Sequence, residues 1–220
     1  EIIDECYDLS TSGHGYCVGY PIEEIETCVI PLDFQEANIG DLHSVALPNN
    51  HIGEIAVRGA HVNIRYWNDS AGEKKNKIQT DTGTWHRMGD AGYQDLSGRL
   101  WLVGRPHTAM RPPWEAHPPA QGQPFDPGQA DWIFPYQVEA IANNMPGVKR
   151  SAYVGVSDGY HLVVEPQDNA SEESLELKLR TAIVGFPVSS VRFRSLPVDP
   201  RHNTKVDYRA VMDWLKEQTE

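Results

Sequence analysis

The sequence predicts an α+β fold in two parts, and three observations carry it. Up to Arg105 the chain reads as short glycine-bounded strands. From Pro106 to Pro135 proline crowds the sequence and periodicity disappears, as in a linker or extended loop at a domain boundary. After it, residues 136–218 alternate helical and strand patterns in the order αββαβα, a small α+β unit.

The elements follow in order. Residues 1–11 are apolar then acidic and predict a strand. Residues 12–21 are rich in glycine but no Lys-Ser or Lys-Thr follows, so they are a turn and not a phosphate cradle. Residues 24–31 alternate Ile25, Thr27 and Val29 on one side. GEIAVRG, residues 53–59, is a strand with Ile55 and Val57 on one face, and residues 62–67 end in Tyr66 and Trp67. Residues 68–83 are polar and lysine-bearing, which predicts an exposed loop.

Residues 85–105, WHRMGDAGYQDLSGRLWLVGR, matter most. Met88, Gly89 and Asp90 form a short turn, Gly92 and Tyr93 a strand, and residues 95–98 a type I turn with Asp first and Gly fourth. Residues 99–103 return as a second strand that ends at Gly104 and Arg105. One reversal brings a carboxylate and a guanidinium to the same end. An acceptor for hydroxyls beside a cation suits a sugar-phosphate ligand; an ordinary surface ion pair has the same composition.

In the second part, residues 136–144 have helical spacing with Val138, Ile141 and Ala142 inward. Residues 148–156 and 161–165 form a hairpin about Gly159. Ser171 caps a helix that partly buries Leu175, Leu177, Leu179 and Ile183. Residues 188–193 are a third strand, and residues 207–218 an amphipathic helix with Val211, Trp214 and Leu215 on one side. Lys205 sits in the irregular polar loop between them, where no packing direction binds it.

Bulk properties narrow the function. The 220 residues are 40% hydrophobic and 23% charged, an ordinary globular balance. A net charge of −12 argues against nucleic acid and anionic membrane as partners. No apolar run approaches the roughly 20 residues that span a bilayer. Three cysteines, Cys6, Cys17 and Cys28, lack metal-site spacing and predict a reducing, cytoplasmic compartment. The chain starts with Glu1 in mid-pattern, as a fragment of something longer would.

The order of segments is similar to that of the adenylate-forming superfamily of acyl-CoA synthetases, nonribosomal peptide adenylation domains and luciferases. GEIAVRG, VNIRYWND, WHRMGD, GRLWLVGR, IFPYQVEAI, MPGVKRSAYVGV and a late Pro197-to-Lys205 spacing carry the resemblance, from about Gly13 to Trp214. DPRHNTKVDY most resembles long-chain fatty-acid ligases and the β-lactone synthetases of olefin formation. The resemblance implies that residues 1–104 are the β-barrel-like end of a large N-terminal domain. It makes residues 105–220 a small mobile C-terminal lid, with the proline-rich loop at 106–135. The activity implied is ATP-dependent acyl-adenylate formation, then transfer to CoA or ring closure, with ATP and Mg2+ bound mostly by upstream residues and CoA as an acceptor. Asp90 matches the aspartate that accepts from both ribose hydroxyls. Arg105 matches the hinge arginine that contacts ribose or phosphate, and Lys205 the catalytic lysine that swings in at the acyl carboxylate and α-phosphate. Trp101 and Leu102 are pocket-wall candidates that serve equally as core.

Several departures stand out. Met88 replaces the usual Thr, Pro106 the usual hinge Asp or Lys, and Ala130 a glycine of the loop that serves the second half-reaction. The phosphate loop and the Tyr-Gly-x-Thr-Glu segment would lie before Glu1, so the chain by itself is expected not to adenylate, and the missing N-terminal portion is its first partner. The alternative is a non-catalytic relative that keeps the scaffold as a binding module.

Overall fold

A computed structural model describes residues 2–111, 131–198 and 205–218. The contacts divide the chain into two compact units. One comprises His14–Ala109, with residues 131–132. The other comprises residues 2–13, 110–111, 133–198 and 205–218. Mixed helix and sheet is the fold class that the sequence predicts.

The first unit is built on an open antiparallel sheet. Its strands are β1 (Tyr16–Gly19), β2 (Glu26–Ile30), β3 (Gly53–Arg58), β4 (Lys77–Thr80), β5 (Gly83–Gln94) and β6 (Leu100–Gly104). The order is β1-β6-β5-β3-β2, with β4 also paired to β5. Cys28, Ile30, Leu42, Ala56, Ile78 and Trp85 form a core on one side of it. In β2 the predicted alternation gives way to a buried run, Cys28, Val29 and Ile30. Such a run belongs to a strand covered on both faces.

Residues 68–83 are not the predicted loop. Asp69 accepts from the Gly72 amide and caps α2 (Ser70–Asn76), which leads straight into β4. The misleading residue is Lys77. It is buried, with Nζ donating to the Asn63 carbonyl and lying 5.0 Å from the centre of the Tyr66 ring. A lysine satisfied in this way joins a sheet despite its polarity.

In the second unit a three-stranded sheet, β7 (Val148–Val156), β8 (Gly159–Pro166) and β9 (Ser190–Phe193), is covered on both faces. Strand alternation divides the side chains. Tyr153, Leu162 and Val164 pack with α3 (Pro135–Asn143) and α4 (Glu172–Ala182). Ala152, Val154 and Val163 pack with Val211 and Leu215 of α5 (Tyr208–Glu217). The predicted cap Ser171 accepts from Ser174 N; Asp207, read as the first residue of the last helix, is its cap and accepts from Ala210 N. Leu177 is the exception to the predicted burial in α4; it is 71% exposed, because Leu175, Leu179 and Ile183 take the inward positions four residues apart.

Residues 2–11 correct the predicted strand. Ile2–Thr11 is a helix, α1, with Asp4 and Glu5 in its first turn. Among residues 4–11, Cys6, Leu9, Ser10 and Thr11 are half-buried, with Cys6, Leu9 and Ser10 at the 3–4 spacing of a helix face. Gly13, at φ +89°, lets the chain leave the helix. The Gly13 carbonyl accepts from Gln137 Nε2 at 3.2 Å.

The proline-rich segment is described at its two ends. Pro106–Thr108 is one 3-10 turn, and Met110 and Ile133 exchange both backbone hydrogen bonds at 2.9 Å. The Ala130 departure and most of the 106–135 loop lie outside the described residues, as do residues 199–204 of the late loop.

Candidate functional site

Met88, Gly89 and Asp90 are not a turn between strands. They are a bulge inside one continuous strand, β5. On β3, Ala56 pairs with Arg87 and Glu54 with Ala91, so Ile55 alone faces three residues of β5. Gly89 takes φ +68°, a left-handed conformation open to glycine at little cost. A bulge bends its strand and re-aims a side chain. A second irregularity in register, between Ala91 and Gly92 against β6, flanks it.

The two bulges bring Asp90 and Arg105 together at the end of the hairpin. Arg105 Nη1 donates to Asp90 Oδ1 at 2.9 Å and to the Gly89 carbonyl at 3.1 Å. The guanidinium is 58% exposed and the carboxylate 26%, so both face solvent. Met88 is also exposed. Arg105 is extended (φ −112°, ψ 141°), the conformation a following proline favours, and Pro106 opens the 3-10 turn.

The far end of the hairpin is a lock. Asp95 Oδ1 accepts from the amides of Ser97 and Arg99, and Oδ2 from Arg99 Nε at 2.6 Å and Trp101 Nε1 at 2.9 Å. Burial pushes the Asp95 pKa up, but these hydrogen bonds and the Arg99 charge outweigh it and hold it below the usual value. Trp101 is buried and stacks on Tyr93 with ring centres 6.1 Å apart. Leu102 is half-buried.

Lys205 belongs to the second unit and is exposed. The residues after it are held firmly. Val206 bridges to Val198, Asp207 N donates to the Pro197 carbonyl at 2.9 Å, and Asp207 caps α5. Tyr208 Oη donates to Glu139 Oε2 at 2.6 Å, while Glu139 Oε1 accepts from Tyr153 N at 2.8 Å.

Glu139 lay beyond the reading of residue types, although its place offered a signal: it follows inward Val138 and precedes inward Ala142 by three. Burial pushes its pKa up to about 7, against the lowering hydrogen bonds from Tyr208 and Tyr153. A folded-state value above the unfolded one stabilises fully below the unfolded pKa and fades as pH rises through 7. Between pH 5 and pH 8 the wild-type chain should lose about 2–3 kcal/mol of unfolding free energy through this group. Denaturant titrations should show Glu139→Gln flattening that slope; equal slopes in the two proteins would refute it.

A separate cluster has the composition of a hydrolytic triad. His161 Nδ1 lies 2.8 Å from Ser190 Oγ, and His161 Nε2 lies 3.1 Å from Asp158 Oδ1. Arg192 Nε also donates to Ser190 Oγ at 3.2 Å, and the His161 side chain is 6% exposed. It joins β8, β9 and the β7–β8 turn as a structural tie.

Comparisons with known proteins identify the class. Apo MatB from Rhodopseudomonas palustris superposes over 93% of this chain and 36% of its own, with TM-score 0.64 and 23% identity. The anthranilate CoA ligase AuaEII in complex with anthranoyl-AMP gives TM-score 0.64 at 17% identity, over 91% of this chain and 35% of its own. In sequence, the chain is 30% identical to the olefin β-lactone synthetase of Xanthomonas campestris pv. campestris over 98% of its length and 39% of the synthetase. A long-chain-fatty-acid–CoA ligase of Escherichia coli O6:H1 is 26% identical over 75% of the chain and 27% of the ligase. No protein-family model matches.

The chain belongs to the adenylate-forming superfamily and corresponds to its C-terminal part. It spans about two-fifths of the length of the first curated relatives it matches. Among the described residues, no helix is long and apolar enough to cross a membrane.

Proposed function

We propose that this chain supplies the nucleotide-facing hairpin and the mobile lysine of an ATP-dependent ligase that forms acyl-adenylates. The observation that carries the reading is the Asp90–Arg105 pair at the bulged, solvent-facing end of the β5–β6 hairpin. In the reaction, a carboxylate oxygen of the acyl substrate attacks the α-phosphorus of ATP. The bond to the bridging oxygen breaks and pyrophosphate leaves. The acyl-AMP then passes to CoA, or closes on an internal hydroxyl, with release of AMP.

Asp90 accepts hydrogen bonds from the two ribose hydroxyls, a task for an ionised carboxylate with two oxygens. Arg105 gives up Asp90 and turns its planar fork to ribose or phosphate oxygen. Lys205 brings a compact cation to the acyl carboxylate and α-phosphate as negative charge gathers there. The likeness of DPRHNTKVDY to long-chain fatty-acid ligases and olefin β-lactone synthetases supports a fatty carboxylic acid as the substrate class. The resemblance also implies Mg2+. Among the described residues no group of three or more His, Cys, Asp or Glu stands together to hold it.

Calorimetric titration of ATP and a non-hydrolysable acyl-AMP analogue into the chain tests the nucleotide role. Asp90→Ala should weaken binding at least about tenfold, as expected for losing hydrogen bonds to a charged acceptor. Equal affinity with and without the carboxylate, or no binding at all, would favour the second reading: a scaffold that binds a partner and performs no chemistry. Pro106 beside Arg105 is the observation that favours it, since a fixed φ restrains the joint.

A further inference from the structure

From the contacts around α5 we infer that Glu139 and Tyr208 act as positioning residues for Lys205: their hydrogen bond clamps the root of the lysine-bearing segment onto α3 and β7. The inference rests on the ligase reading for what Lys205 does, but its geometry stands apart from it.

Glu139 is in the middle of α3, and 69 residues separate it from Tyr208. Its carboxylate is buried between elements that sequence distance would not bring together. One oxygen takes the Tyr153 amide of β7 and the other the Tyr208 hydroxyl at the first residue of α5. Tyr208 is three residues after Lys205. The intervening Val206 and Asp207 are held by the bridge to Val198 and the bond to the Pro197 carbonyl. The backbone just beyond Lys205 is therefore fixed at three points, and the Lys205 side chain is exposed. Such an arrangement anchors the backbone on the C-terminal side of the cation. Less entropy is then lost when it engages its target.

A buried carboxylate is a costly way to stabilise a fold, because an apolar pair of the same volume serves as well or better. What it supplies is direction: a hydrogen bond of 2.6 Å sets where Tyr208, and so the start of α5, must lie.

Amide hydrogen exchange on the chain as it is tests the clamp. Tyr208→Phe should speed exchange at Asp207, Ala210 and Val211 at least tenfold and leave Leu162, Val163 and Val164 of β8 unchanged. Glu139→Gln, which retains an acceptor for the hydroxyl, should raise the same three rates less than threefold. Unchanged rates at 207–211 in Tyr208→Phe would overturn the inference. So would an equal rise throughout β8, which marks general loosening. In a ligase carrying this chain, Tyr208→Phe should lower kcat for adenylate formation with KM for ATP unchanged. If Lys205→Ala leaves that activity intact while the exchange result holds, the ligase reading fails and the clamp survives. If Lys205→Ala abolishes activity and Tyr208→Phe changes neither exchange nor kcat, the clamp alone fails.

Discussion

Replacing Lys205 with alanine in a full-length ligase that carries this chain should reduce carboxylate-dependent ATP–pyrophosphate exchange about a hundred- to thousandfold. That is the usual size of losing one donor aimed at charge that develops in the transition state. The loss should fall on kcat, with KM for ATP little changed, because the lysine is placed to meet charge that the ground state lacks. Lys205→Arg should recover little: the guanidinium is a wide planar fork, and a compact point charge is what the site would use. The side chain is exposed and caps nothing, so the folded chain should keep its unfolding midpoint. Exchange within threefold of wild type in Lys205→Ala would remove the residue from the reaction.

Gly92→Ala should be strongly destabilising. A Cβ at Gly92 would stand 2.2 Å from the Trp101 carbonyl oxygen and 2.9 Å from Ile55 Cδ1. The oxygen is backbone in the paired strand β6 and has no rotamer to take. Strands β5 and β6 must separate, or the bulge beside Asp90 must shift, at about 3 kcal/mol. Thermal unfolding monitored by tryptophan fluorescence would register it, since Trp101 is at the contact. Nucleotide affinity should fall as well, because Asp90 and Arg105 leave from the two strands that are forced apart. A Gly92→Ala protein with wild-type unfolding and wild-type affinity would contradict this account of the bulge.

What could be seen in the residues was local. The turn at residues 95–98 carries its own instructions: Asp95 accepts from the amides two and four positions on, and Gly98 takes φ +86°. Ser171 announced its helix by capping chemistry, and Val211 with Leu215 announced the inner face of α5. The pairing of Asp90 with Arg105 was legible too, since one chain reversal must bring the two ends of a hairpin together.

What escaped depended on partners far off in sequence. Residues 2–11 read as apolar then acidic, and only their packing at helical spacing against the rest of the unit decides for a helix. Lys77 marks a loop by type, yet Asn63 and Tyr66 give its ammonium a place inside. The bulge at Gly89 is visible only when β3 is laid beside β5 and the registers fail to match. Glu139 sits in a helix pattern whose inward positions are Val138, Ile141 and Ala142. Its role depends on Tyr153 and on Tyr208, and no local pattern joins the three.

Glu139 has a consequence outside catalysis. β7 pairs with β8 on one side and has no strand on the other among the described residues. An open edge of that kind presents amides that a second chain could zip onto, the first step of aggregation. The Tyr153 amide on that edge is already taken, by a side chain from the same molecule, and α3 is packed along β7. The residue that orders the start of α5 thereby also guards the sheet against sticking to its own kind.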